Sequence, residues 1–79
     1  MNYYTLDNKA MDKDFLNGKS IHCSAALPLT EFIHGRIKEG ERIVIKLSNG
    51  RKYMGSVVSF RHTIKNDVVE GELEIVKVR

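Results

Sequence analysis

From Arg42 onward, apolar and polar residues alternate with a period of two. Ile43, Ile45 and Leu47 interleave with Val44, Lys46 and Ser48, the signature of a half-buried strand. Asn49-Gly50 follows, and because both residues tolerate positive φ, the pair predicts a two-residue type I′ hairpin turn. Such a turn sets Ser48 opposite Arg51 and Lys46 opposite Tyr53, leaving Leu47, Ile45 and Met54 on the reverse side. One face is then a core, and the other carries cations and a ring. Gly55 interrupts the second strand, where a missing side chain allows the bend or bulge that curls a small sheet.

The flanking segments read less regularly. Residues 1 to 18 form an N-terminal appendage with a short helix: Asp7 as N-cap, Ala10, Met11 and Phe15 on one side, and Gly18 as terminator. Ile21 and Cys23 alternate with Ser20, His22 and Ser24, which predicts a short strand stopped by Pro28. Leu29 to Glu39 reads as a helix, with Thr30 capping, Phe32, Ile33 and Ile37 on one side, and Gly40 closing it in a left-handed conformation. Asn66-Asp67 marks a turn into a terminal strand, where Leu73 and Ile75 have one parity and Val76 and Val78 the other, so a bulge or two-sided burial is needed there. Residues 19 to 79 are therefore read as a single small, mainly β domain, a curled antiparallel sheet or barrel, with helix 29–39 within it.

Composition narrows the class. At 79 residues, with 42% apolar and 29% charged positions, the chain is expected to fold as one thin-cored domain that associates with further copies of itself. No apolar run approaches the length of a membrane span, and no secretion signal is visible at the start. A single cysteine, Cys23, gives no disulfide framework, so the cytoplasm is the expected compartment.

Charge is distributed unevenly. Residues 34 to 65 hold eight Lys and Arg against two Glu, a net of +6, while both flanking segments are slightly acidic. A polyanion is a plausible partner for the centre, and the same charges would equally keep an exposed sheet soluble and its edges unpaired. Tyr53 among Lys46, Arg51 and Lys52 is the suggestive cluster, because a ring stacks on unpaired bases while cations attract phosphates. Arg36 and Lys38, with His34, supply a smaller basic group, and Arg61 and His62 a third.

Catalytic and cofactor motifs are not found. Gly18-Lys19-Ser20 copies the end of a phosphate-binding loop, but Lys13 occupies the position where that loop needs a glycine. Cys23 with His22, His34 and His62 matches no zinc spacing, and Cys23 reads as a small hydrophobe on a strand. The expectation is a protein that is not an enzyme, with no cofactor and no metal.

The stretch Leu29 to Phe60, LTEFIHGRIKEGERIVIKLSNGRKYMGSVVSF, resembles the Sm-like family, in particular its bacterial Hfq branch of RNA chaperones. It shares a short helix with an early Phe, an alternating strand ending in Leu, Asn-Gly, a glycine five residues later and a Phe five after that. The resemblance implies a barrel of Sm-like or SH3-like type, ring-forming subunits and binding of single-stranded RNA. It would place Lys46, Arg51 and Tyr53 on an adenine-binding face, and His34, Lys38 and Phe60 on a rim. Arg61 stands where the family usually carries an acid, and the family's Tyr-Lys-His run has no counterpart. The function expected is single-stranded RNA binding through Lys46, Arg51, Lys52 and Tyr53, with Arg36, Lys38, Arg61 and His62 as secondary contacts. The alternative is a protein-interaction module that docks a partner along exposed strand edges.

Overall fold

The computed structural model describes residues 3–34 and 37–78. It is a mainly β fold with a short N-terminal helical region and a curled, half-barrel-like sheet. In chain order the elements are β1 (Tyr3–Thr5), α1 (Lys9–Leu16), β2 (Ile21–Pro28), α2 (Leu29–Ile33), β3 (Arg42–Lys46), β4 (Lys52–Lys65) and β5 (Val68–Lys77). The strands lie in the order β1-β3-β4-β5-β2. Every neighbouring pair is antiparallel except β1 with β3, which run parallel.

Residues 3–18 pack against this sheet. Leu6 and Phe15, 2% and 0% exposed, belong to the same core as Ile43, Ile45, Leu47, Leu73 and Ile75. Helix α1 forms because Asn8, not Asp7, caps it: its Oδ1 accepts from the backbone N–H of Ala10 at 2.8 Å and Met11 at 3.3 Å. It ends as Gly18 takes φ +82, with the Gly18 and Lys19 N–H groups returning to the carbonyls of Phe15 and Asp14. Met11 and Phe15, one turn apart, then meet the sheet on a shared side.

β2 follows its sequence pattern without exception. Ile21, Cys23, Ala25 and Leu27 point inward, while His22, Ser24, Ala26 and Pro28 point out. Helix 29–39 shortens to α2, five residues long, with no side-chain cap at its start and His34 at its end. Thr30, Phe32, Ile33 and His34 are all weak helix formers, and Ile37, 5% exposed, is drawn into the core instead. Gly40 does adopt a left-handed φ of +85, but it serves the turn into β3, where its N–H donates to the Val57 carbonyl.

Two glycines let the sheet curl. A Cβ on Gly55 would come within 2.8 Å of both Ile45 and Ile75 side chains, and one on Gly71 within 1.8 Å of the Arg61 carbonyl oxygen. The bulge itself lies at neither, nor in β5: register slips between Val57 and Ser59, leaving Val58 as the extra residue in β4. At the open seam, β1 and β2 share no ladder. The Tyr4 hydroxyl spans it, donating to the Ser24 carbonyl at 2.5 Å.

Candidate nucleic-acid interface

The β3–β4 connection decides which side chains share a surface, and it differs from the expected turn. Leu47, not Ser48, faces Arg51, its N–H donating to the Arg51 carbonyl at 2.8 Å. The loop is therefore Ser48-Asn49-Gly50, closed by the Gly50 N–H on the Leu47 carbonyl, with Gly50 at φ +89. The Asp12 carboxylate on α1 holds this loop from below. It accepts from the Ser48 backbone N–H at 3.2 Å and from the Ser48 hydroxyl, which explains how a carboxylate only 8% exposed is tolerated.

This register overturns the expected pairing of Lys46 with Tyr53. Lys46 stands opposite Lys52, Ile45 opposite Tyr53 and Val44 opposite Met54. Tyr53 thus turns to the core side, where Phe15 meets it edge-on at 6.4 Å between centroids and the Lys77 ammonium lies 5.5 Å from its centre. Met54, expected inside, is 42% exposed on the outer face.

Another ring takes the place vacated by Tyr53. Parallel pairing sets Tyr3 beside Val44 and Thr5 beside Lys46, so Tyr3, 64% exposed, joins the lysines on one surface. Tyr3, Thr5, Val44, Lys46 and Lys52 line an open depression of about 540 Å³. Arg42, opposite Ser56, faces the same way, whereas Arg51, opposite Leu47 and of the same parity as Tyr53, falls on the other side of the sheet and leaves the expected cluster. Sequence reasoning missed Tyr3. The run Tyr3-Tyr4-Thr5 has strong β propensity, and that was the available signal.

Like charges directly opposite one another on a sheet destabilise it. Lys46 and Lys52 make such a pair, and among the described residues no carboxylate lies within ion-pair distance of either.

The remaining candidates lie elsewhere. Arg61 is nine positions beyond Lys52 on β4, roughly 30 Å by strand rise. It faces Glu72 in register, within the outward row of Glu70, Glu72 and Glu74. That row is partly satisfied locally: His22 Nδ1 lies 3.1 Å from Glu72, and the Ser59 hydroxyl donates to Glu74 at 3.3 Å. His62 faces the other way, stacked on Phe60 with centroids 5.1 Å apart and 4.5 Å from the Phe32 ring centre. Lys38 is exposed in the turn before β3. Arg36 lies outside the described residues.

Cys23 is 4% exposed, and burial pushes its thiol up to about 11, partly offset by a hydrogen bond with Tyr4. It stays protonated at neutral pH. No described group of His, Cys, Asp and Glu could hold a metal ion, and no helix among the described residues is long and apolar enough to cross a membrane. Comparison with family models, with curated proteins and with solved structures returns no match.

Proposed function

We propose that this small barrel-like domain is a non-enzymatic module that binds single-stranded RNA on the outer face of β1, β3 and β4. Lys46 and Lys52 attract the phosphates, with Arg42 extending the cationic ground. The observation that carries the reading is the unpaired cross-strand contact between Lys46 and Lys52 beside an exposed tyrosine. Such a pair costs stability in the free protein, and an anionic ligand reverses the sign of that cost. The resemblance to Sm-like RNA chaperones points the same way, on Lys46 though no longer on Arg51 or Tyr53.

Titration of labelled single-stranded RNA at rising salt is the test. Affinity should fall linearly on a log–log plot, and Lys46→Glu or Lys52→Glu should each lower the slope by about 0.7. Salt-independent affinity, or no binding at low salt, refutes the reading.

The alternative, docking of a protein along a strand edge, draws on β2. It has one neighbour, β5, and between Ile21 and Pro28 carries no Lys, Arg, Asp or Glu to discourage pairing. Co-purification of a protein partner that Ala26→Pro releases, with no nucleic acid bound, would favour it.

A further inference from the structure

The outer face holds an apolar row as well as cations. Tyr3 pairs with Val44, Val44 with Met54, and the Val78 N–H donates to the Met54 carbonyl at 3.0 Å. These four residues, from β1, β3, β4 and the position just after β5, form one line across the strands on the side away from the core. Tyr3 and Met54 are 64% and 42% exposed on this line, while Val44 and Val78 are half-buried. Lys46 and Lys52 border the line on one side and Arg42 on the other, with no acid between them. Two residues along a strand is about 7 Å, the span from a nucleobase to its own phosphate group. The depression lined by Tyr3, Thr5, Val44, Lys46 and Lys52 bridges that step.

We infer that the row Tyr3, Val44, Met54 and Val78 is a platform for nucleobases, with Tyr3 as its stacking residue, while the backbone of the strand follows the lysines. The inference rests on the RNA-binding reading above and adds to it where the bases lie. Aromatic stacking tolerates any base, and a thioether beside it offers a polarisable, adaptable contact, so the platform selects unpaired nucleotides over duplex without selecting a sequence. The charge of the border argues for this occupant over a protein, since an apolar partner would need acidic residues on two sides to match it.

Fluorescence anisotropy at low salt with labelled oligoadenylate, and with an abasic oligonucleotide of the same length, separates base contacts from phosphate contacts. The native protein should hold the base-bearing strand at least roughly tenfold more tightly, the value of one stacked base. Tyr3→Ala should remove most of that preference and leave abasic binding unchanged, whereas Tyr3→Phe should retain it. Met54→Ser should reduce it by a smaller factor, with thermal unfolding unchanged in all three variants. Equal affinity for both strands, or equal loss on both in Tyr3→Ala, overturns the platform while leaving phosphate-driven binding standing. No binding of either strand at low salt overturns the reading beneath it as well. A nucleic-acid-free dimer that Met54→Ser dissociates would show the row to be an interface between copies, which also overturns the platform.

Discussion

The two hairpins share strand β4 and each carries an Asn in its turn, yet they are built differently. At Asn66-Asp67 the turn uses two residues, with Lys65 facing Val68 and Asn66 at φ 55. At Asn49-Gly50 it uses three, because Ser48 is recruited by Asp12 from a helix 36 positions earlier. One extra loop residue moves every side chain of the following strand to the opposite face. That single count removed Tyr53 from the outer surface and set Lys52 against Lys46. The first hairpin is thus held from outside by α1. The second is held from within, by backbone contact at Gly71 and by the Phe32, Phe60 and His62 rings over its inner side.

Substitutions can break the two hairpins separately. Gly71→Ala has the largest expected effect: its new methyl would press on the Arg61 carbonyl and the His62 Cα, neither of which moves without breaking the β4–β5 ladder. A loss of about 3 kcal/mol is expected, read by urea unfolding. Asp12→Ala should cost about 2 kcal/mol, since it strands the Ser48 N–H beneath the loop, and amide exchange should quicken at Ser48 to Arg51 while the Asn66 turn stays protected. Gly50→Ala, at φ +89 with open space around it, should cost about 1 kcal/mol through backbone strain alone. Should Gly50→Ala prove worse than Asp12→Ala, the loop would be governed by its own residues and not by α1.

Much of the scaffold was readable because it follows from local patterns. The strict alternation over Ile21–Pro28, the left-handed Gly18 and Gly40, and the turn at Asn66-Asp67 all stand as their residues dictate. What escaped was long-range. Asn-Gly announced a turn but could not reveal how many residues it takes, since the deciding partner, Asp12, sits on another element. Tyr3 went unnoticed for a related reason: a three-residue strand has too few positions to show a period, and its parallel pairing with β3 is visible only in space. Helix 29–39 was overextended because Ile37 fits a helical stripe equally well as it fits the core it joins. The candidate site accordingly kept its lysines and exchanged its ring.

The phenol of Tyr4 is the sole described tie between the outermost staves of this half-closed wall, where every other joint is stitched by a row of amides. Tyr4→Phe should therefore lower global stability by no more than about 1 kcal/mol, yet let the wall part along that line far more often. The shielded sulfur of Cys23, next to the Ser24 carbonyl that Tyr4 grips, would then meet alkylating reagents through brief partings of two edges instead of through loss of the whole fold.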